Sequence, residues 1–228
     1  MGPAVPGHLT IRSAEDQVYE ALRDQIVHGL EPLTPLRLNE IAASLAVSTM
    51  PVRAALRRLE SEGLVITLPR RGSRVAPLRA EDIEEIQTMR WRIEGLAALR
   101  GAPKVDAAGL ARMRKSLAAI KKDIKNKDMD SYIVHLREFE DVCYSAAEWP
   151  RLLRLVEDLR RSSERYLRIA VARAGDDVLS SKIWDHFYDA VEAHDGEAAE
   201  AALRTALMYT LEWIRKYLNE IEFGDQVR

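Results

Sequence analysis

The sequence predicts a mainly α-helical protein with a small β-hairpin, built from two parts that meet near residue 78. Three observations lead to this prediction. Apolar residues recur at helical spacing along most of the 228 residues. Between residues 64 and 76 the spacing becomes strand-like. After Pro77 long helical segments follow one another with no further strand signal, so we expect domains at 1–78 and 79–228.

The first part contains three short helices and then a hairpin. The first helix is expected over residues 13–27, the second in LRLNEIAASLA, and the third in MPVRAALRRLESEGL, where Pro51 occupies the first turn. Two β-rich segments, 64–68 and 73–76, flank the turn PRRG. This order of elements predicts a winged helix-turn-helix, preceded by a disordered arm over residues 1–12.

The second part has the pattern of an antiparallel bundle of about six helices. No stretch repeats at a fixed period, which argues against a solenoid. Breaks at GAPK, NKDMD, EWP, AGDD and HDG set the helix ends. These breaks place the helices at about 80–101, 106–125, 129–147, 150–174, 178–193 and 195–222.

Composition excludes several classes of protein. The net charge of −2 describes neither a polybasic nor an acidic chain. The single cysteine, Cys143, excludes an internal disulfide and a cysteine-based zinc site. No stretch reaches the roughly 18 apolar residues that a membrane span needs, and the N-terminal residues lack the pattern of a secretion signal. We therefore expect a soluble, cytoplasmic protein with no membrane partner.

Positive charge is concentrated on the third helix and the hairpin. Residues 48–79 hold seven arginines against two glutamates, although the whole chain is nearly neutral. An α-helix fits the major groove of DNA, and its first-turn amides can face phosphates. We therefore predict double-stranded DNA as a partner. The predicted contact residues are Arg37, Asn39, Ser48, Thr49, Met50, Pro51, Arg53, Arg57, Arg70, Arg71 and Gly72.

Some of these positions have distinct expected roles. The planar fork of Arg53 matches the O6 and N7 acceptors of guanine. The turn with Arg70 and Arg71 suits the minor groove or the backbone, where Gly72 permits a close approach. A basic helix can also be a solvated surface. The combination of helix-turn-helix spacing with a basic hairpin favours DNA.

The segment VSTMPVRAALRRLESEGL, followed by RRGSRV, resembles the DNA-binding domain of GntR-type bacterial transcription regulators. The matching positions are Val47, Ser48, Pro51, Val52, Arg53, Ala55, Leu56, Leu59, Gly63, Leu64, Gly72 and Val75. In that family an arginine and then a threonine usually follow the serine, whereas this chain has Thr49 and Met50. The resemblance therefore implies either a different operator or an affinity that depends more on Arg53 and the hairpin.

The second part is similar to the FadR-like branch of that family, which carries an all-helical ligand-binding domain called FCD. A pattern typical of its first helix appears here as Arg90, Ile93 and Glu94. The segments REFEDVCYSAAEWPRLLRLVEDL and HFYDAVEAHDGEAAEAALRTAL resemble two further blocks. The resemblance implies a homodimeric regulator, with repression the expected mode, which is controlled by a small-molecule effector. Two identical recognition helices would then bind an inverted-repeat operator.

Many members of that branch bind a divalent metal through an aspartate and a histidine four residues apart and two further histidines. The corresponding positions here are Leu136, Glu140, His186 and Ala206. Only His186 keeps the usual ligand, and Glu140 could at best supply a second one. Two ligands on different helices seldom hold a metal tightly, so we expect no metal and no other cofactor. We expect His186 to be a hydrogen-bonded residue inside the bundle, on a helix that faces Glu140.

The effector is expected to be an anionic metabolite. Arginines bind carboxylates through two hydrogen bonds, and Arg90, Arg165 and Arg168 fall on helices whose inner faces could line a cavity. The same arginines could instead pair with Glu94, Glu164 or other carboxylates of the bundle. The predicted effector-binding residues are Arg90, Glu140, Arg165 and His186.

Two other functions are compatible with parts of the pattern. A winged helix can dock proteins without contacting DNA, for which an acidic or uncharged recognition face would be typical. A helical-bundle enzyme would need convergent catalytic side chains, and the sequence offers neither paired carboxylates nor a histidine-rich metal cluster. A DNA-binding regulator that is not an enzyme is therefore the preferred interpretation.

Overall fold

The structure is a computed structural model that describes residues 13–174 and 181–225. The predicted arm over residues 1–12 and the predicted helix start at residue 178 lie outside the described residues. The chain forms two compact units that divide between Pro77 and Leu78. Each unit has its own buried apolar core, as is usual for a domain.

The N-terminal unit consists of three helices and a three-stranded antiparallel sheet. The helices are α1 (Ala14–His28), α2 (Leu38–Ser44) and α3 (Thr49–Ser61). The strands, in the order β1-β3-β2, are β1 (Pro35–Leu36), β2 (Val65–Leu68) and β3 (Gly72–Val75). This is the predicted winged helix-turn-helix with one additional strand. β1 was not predicted because it has only two residues and begins with a proline, so it carries no alternating pattern.

The core of the N-terminal unit forms where α1 packs against α3. Val18, Leu22 and Ile26, whose spacing predicts the first helix, are all buried. They belong to one apolar cluster with Val52 and Leu59 of α3. Burying a side chain of this size stabilises a fold by roughly 1.5–3 kcal/mol. The cluster therefore determines which face of α3 points inward and which face stays exposed.

The described part of the C-terminal unit contains six long helices. They are α4 (Ala80–Gly101), α5 (Ala107–Asn126), α6 (Met129–Ala146), α7 (Pro150–Ala174), α8 (Ser181–Glu192) and α9 (Gly196–Asp225). A short 3₁₀ helix, Ala102–Lys104, follows α4 directly and was not predicted. The predicted helix bounds agree with the observed ones to within a few residues. The mainly α-helical fold with a winged helix-turn-helix and a helical bundle is thereby confirmed.

Aspartate side chains cap the first turns of two of these helices. The carboxylate of Asp106 accepts a hydrogen bond from the amide of Gly109 at 2.7 Å, at the start of α5. The carboxylate of Asp128 accepts one from the amide of Ser131 at 3.1 Å, at the start of α6. Such a cap satisfies an amide that has no partner within its helix and contributes about 1 kcal/mol. The breaks predicted from sequence therefore have a specific local cause.

The helix α4 packs against α6, α7 and α9, and two glycines permit the closest approaches. A Cβ atom on Gly101 would lie 1.9 Å from the carbonyl oxygen of Cys143 on α6. A Cβ atom on Gly196, the first residue of α9, would lie 2.2 Å from the carbonyl oxygen of Leu99. Both obstacles are backbone atoms, so no rotamer change relieves them. Cys143 is itself fully buried, and burial raises the pKa of its thiol to about 12.

We expect Gly101→Ala to lower the free energy of unfolding by about 1–3 kcal/mol, because α4 and α6 must separate to admit the methyl group. Thermal unfolding should show Tm falling by roughly 3–10 °C. Gly95→Ala in the same helix is the matched control. Its nearest obstacle is the Cγ atom of Glu200 at 3.2 Å, which belongs to a flexible side chain, and alanine favours a helix over glycine. Equal losses in the two variants would contradict the role given to Gly101.

Candidate functional site

The first turn of α3 is an exposed helix N-terminus. The chain enters it through a tight turn in which Ala46 has a positive φ of 53°. Ser48 is the N-cap residue, and its side chain makes no capping hydrogen bond. Met50 is 70% exposed, and Arg53 is also exposed. Because first-turn amides have no partners within a helix, this end of α3 offers hydrogen-bond donors beside a cationic side chain.

A recess of about 650 Å³ lies along α3 from Arg53 to Glu60, bordered also by α2 and the three strands. Its lining has a large excess of positive charge, because five arginines share it with one acidic residue, Glu60. Arg37 also forms an ion pair with the exposed Glu40 at 2.8 Å. Such an excess in a concave surface attracts polyanions. The five arginines are Arg37, Arg53, Arg57, Arg71 and Arg74.

Arg74 was not among the predicted contact residues, because it lies within β3 rather than in the hairpin turn. Its Nη1 atom donates a hydrogen bond to the carbonyl oxygen of Leu33 at 2.9 Å. This bond is consistent with a side chain that lies across the sheet and points into the recess. The sequence did contain a signal for Arg74, since this residue stands two positions after Gly72 in a strand that has one solvated face.

The hairpin tip carries two exposed arginines. Three residues connect β2 to β3, and among them Arg70 has a φ of 62°. The amide of Arg71 donates to the carbonyl oxygen of Leu68 at 3.0 Å, and Gly72 has a φ of 73°. Arg71 and Gly72 line the recess, whereas Arg70 does not. The remaining predicted contact residues lie on α2 or at the start of α3, outside the recess lining: Asn39, Ser48, Thr49, Met50 and Pro51.

Arg58 differs from its neighbour Arg57, since it points toward α1. Its guanidinium lies 3.7 Å from the centre of the Tyr19 ring, and its Nη1 atom is 3.3 Å from a carboxylate oxygen of Asp16. The hydroxyl of Tyr19 donates to both carboxylate oxygens of Glu62, at 2.8 and 2.9 Å. One residue along a helix is a rotation of about 100°. Arg58 therefore supports the fold, and Arg57 remains on the exposed face.

The C-terminal unit contains a second cluster of charged residues, buried between α4, α6 and α7. Arg90 and Glu94 on α4 form an ion pair at 2.5 Å, in which Glu94 is fully buried. The Nη1 atom of Arg90 also donates to the side-chain oxygens of Gln87 at 3.4 Å and Ser163 at 3.2 Å. Burial opposes ionisation of Glu94, but Arg90 and Arg160 outweigh it and lower its pKa. The carboxylate is therefore held in its charged form.

Arg160 of α7 connects this ion pair to α6. It is 5% exposed, and its guanidinium contacts three carboxylates. Nη2 donates to Glu140, Nη1 donates to Asp141 at 2.6 Å, and Nε donates to Glu94 at 3.4 Å. The guanidinium also lies 4.9 Å from the centre of the Tyr144 ring. Arg160 was not predicted, because its helix carries several arginines and their spacing alone does not show which one points inward.

Glu140 is the second buried carboxyl of this network. Burial raises its pKa to about 7, against the opposing attraction of Arg160. Its Oε1 atom is buried and has no hydrogen-bond partner among the described residues. An unsatisfied buried acceptor costs roughly 1–3 kcal/mol. Glu140 is therefore held at this position by its bond to Arg160 and not by a complete set of hydrogen bonds.

The prediction that His186 lies inside the bundle and faces Glu140 was wrong. His186 is exposed on α8, while Trp184, Phe187 and Tyr188 point into the core. The indole Nε1 atom of Trp184 donates to the hydroxyl of Tyr132 at 3.3 Å. Phe187 is the next residue and is fully buried, and one residue along a helix is a rotation of about 100°, so His186 points away from the core. The inward positions on α8 therefore belong to Trp184, Phe187 and Tyr188.

The residues at the degenerate metal positions do not fit a metal ion. Leu136 packs against the apolar core, and Ala206 is 2% exposed within it. Neither offers a ligand atom, and Glu140 is bound to Arg160. Across residues 13–174 and 181–225 no three histidine, cysteine or acidic side chains are grouped so that they could hold a metal ion.

The predicted effector residues are only partly brought together. Arg90 and Glu140 share one network through Glu94 and Arg160. Arg165 is also buried on α7. Arg168 pairs with Glu164 at 3.1 Å, which agrees with the alternative prediction that these arginines form ion pairs inside the bundle. The structure thus places three of the four predicted residues in the interior and His186 outside it.

Comparison with known proteins identifies both units. Residues 14–75 match the family described as bacterial regulatory proteins, gntR family, and residues 85–208 match the FCD domain. The chain is 31% identical over 203 residues to a "probable D-xylose utilization operon transcriptional repressor" from Paenarthrobacter nicotinovorans, with 88% of each chain covered. It is 25% identical over 205 residues to the HTH-type transcriptional repressor RspR of Escherichia coli K12, with 90% of each covered. The solved structure of E. coli McbR/YncC shares the fold, with a TM-score of 0.76 and 22% identity over 90% of this chain and 99% of that one.

The two family matches fall within the two units of the structure and confirm the resemblance seen in the sequence. Among the described helices, none combines the length and the apolar character needed to cross a membrane. The chain belongs to the GntR family of bacterial transcriptional regulators, and its C-terminal unit is an FCD ligand-binding domain.

Proposed function

We propose that this protein is a homodimeric repressor that binds an inverted repeat in double-stranded DNA under the control of a small anionic effector. The observation that carries the proposal is the arginine-lined recess along α3, between Arg53 and Glu60. A cationic recess along an exposed helix suits the phosphates that flank a major groove. The names of two relatives, both transcriptional repressors, support repression. The protein would act in the cytoplasm, without catalysing a reaction.

The proposed DNA contacts divide into base contacts and phosphate contacts. Arg53 would bind guanine through two hydrogen bonds, and the exposed apolar side chain of Met50 would meet a thymine methyl group. Arg37 and Arg57, on the walls of the recess, would bind phosphates. The remaining proposed contacts are with the backbone or with base edges near the helix start: Asn39, Ser48, Thr49 and Pro51. Arg70, Arg71 and Gly72 would contact the adjacent minor groove or backbone.

In a dimer the proposed DNA contacts would form two symmetric sets on the operator. Two chains related by a two-fold axis present two identical copies of α3. Each copy would enter the major groove at one half-site, so the operator would be an inverted repeat. A protein-docking role is less well supported, since an acidic or uncharged face would be typical of it and the recess here has five arginines on its walls.

We place the effector in the FCD domain, at the polar contact between α4 and α7. Arg90 and Arg165 are buried cations on these two helices, and an anionic group would exchange with Glu94, the carboxylate that now pairs with Arg90. Glu140 lies at the α6 side of the same network. His186, which is exposed on α8, is no longer part of the proposed site.

Arg53→Ala should weaken operator binding by about 1–3 kcal/mol and relax base preference at one position, because a two-bond contact to one base is lost. Selection of bound oligonucleotides measures the preference directly. Arg58→Ala is the matched control on the same helix. It should leave base preference unchanged even where it lowers Tm, since Arg58 contacts Tyr19 and Asp16. Recovery of only random sequence by the unaltered protein would refute specific readout.

Replacing both Arg70 and Arg71 with alanine should weaken binding to all DNA sequences alike, because backbone contacts carry little sequence information. The slope of log K against log salt concentration should become shallower by roughly one to two released ions. Titration of DNA at several salt concentrations gives the slope. An unchanged slope would remove the hairpin from the proposed interface.

The purified protein should carry no stoichiometric Zn²⁺, Ni²⁺ or Mn²⁺, and a chelator should leave its Tm and its DNA affinity unchanged. A metal bound only by the folded state would stabilise that state, so its removal would have to lower Tm. Elemental analysis and thermal unfolding with and without chelator test both statements. One metal per chain, together with a chelator-induced fall in Tm, would contradict the proposed metal independence.

A further inference from the structure

We propose that the guanidinium group of Arg160 is a built-in cation of the FCD domain, which positions α4, α6 and α7 by holding buried carboxylates together. This role is separate from DNA binding and effector control, because it fixes the arrangement of three helices inside the ligand-binding domain. Arg160 acts here as a positioning residue.

The geometry of Arg160 supports this role. The Glu94 and Glu140 side chains are 0% and 3% exposed, and they belong to α4 and α6. Arg160 contacts both from α7, and its own side chain is 5% exposed. Without a cation between them, two buried carboxylates would repel each other and lose the solvation of water. The position of the guanidinium between them therefore stabilises the approach of the three helices.

The positive and negative charges around the guanidinium group of Arg160 are nearly balanced. Arg90 contributes a second positive charge from α4, and Asp141 contributes a further negative charge from α6. Tyr144 donates its hydroxyl hydrogen to Glu94 at 3.3 Å, and Cys143 is buried near Glu140. Arg160 is the only one of these groups whose polar atoms contact Glu94, Glu140 and Asp141 together. Its removal would leave Glu140 without the ion-pair partner described for it.

The same network explains why a metal has no place here. A metal ion would need ligand atoms at Leu136 and Ala206, which have none, and would need Glu140, whose Oε2 atom accepts from Arg160. A guanidinium group offers several donors in a rigid plane and stays charged at all physiological pH values. It therefore supplies a permanent positive charge that no chelator can remove.

The test compares variants of the full-length protein by thermal unfolding. Arg160→Met should lower Tm by roughly 10 °C, because it leaves buried carboxylates without their cation. Arg161→Met is the matched control, since the next residue of α7 pairs with Glu157 at 2.8 Å near the surface and its loss should shift Tm by no more than about 2 °C. Arg160→Lys keeps the charge but not the planar fork, so its Tm should lie between those of the wild type and Arg160→Met.

Two further measurements separate charge from packing. Adding Glu140→Gln to Arg160→Met should recover part of the lost Tm, since one of the uncompensated carboxylates is then neutral. Loss of Arg160 also raises the pKa values of Glu94 and Glu140 in the folded state, so these groups bind protons more tightly when folded than when unfolded. The deficit in Tm relative to the wild type should therefore be larger near pH 8 than near pH 5.

The Tm values of these variants test the positioning role of Arg160. A Tm of Arg160→Met equal to that of Arg161→Met, or a deficit independent of pH, would overturn it. So would a lysine variant no more stable than the methionine variant. If Arg160→Met does not fold, the double variant and the lysine variant still test it, because both are expected to unfold at measurable temperatures. None of these Tm measurements depends on whether the unaltered protein binds DNA. A result that contradicts the role of Arg160 is therefore distinct from a result that contradicts the proposed regulatory function.

Discussion

The C-terminal unit depends on one physical constraint, which is that the fully buried carboxylate of Glu94 remains ionised. A charge without solvent must be neutralised by nearby groups of opposite sign, or the fold loses more free energy than the surrounding apolar contacts supply. Arg90 and Arg160 meet this requirement from α4 and α7. Because Arg160 also contacts Glu140, the position of α6 is tied to the same carboxylate. Three helices are thus arranged around a polar centre that is enclosed by apolar packing.

In the N-terminal unit one amphipathic helix, α3, provides both the face that packs in the core and the face that carries positive charge. The inward face of α3 carries Val52 and Leu59, which are fully buried. Its outward face carries Arg53 and Arg57, which stay in the recess lining. Arg58, at the boundary, stacks on Tyr19 and links α3 to α1. The apolar core therefore fixes the orientation of the cationic face, so that packing and recognition are set by the same helical period.

Sequence patterns predicted most of the fold, because helices of this length bury residues at a regular spacing and end at recognisable breaks. A two-residue strand such as β1 has no such pattern and forms only through its pairing with β3. On α3 the regular spacing of the apolar residues shows which face is buried, so that the predicted contacts Met50, Arg53 and Arg57 are found on the exposed face. The prediction for His186 was wrong, since adjacent residues of a helix point about 100° apart and its neighbour Phe187 takes the inward position. Arg160 was missed because which of several arginines is buried depends on the neighbouring helices.

The burial of Cys143 gives the C-terminal unit a chemical reporter of its own motions. It is the single cysteine of the sequence, it is fully buried, and its thiol has a pKa of about 12. A thiol in this state reacts with alkylating reagents only when the contact between α4 and α6 opens, since both access and ionisation require water. The rate of its modification therefore measures how often the ligand-binding domain opens. Any small molecule that tightens or loosens the domain would change that rate, and no cysteine would have to be introduced to measure it.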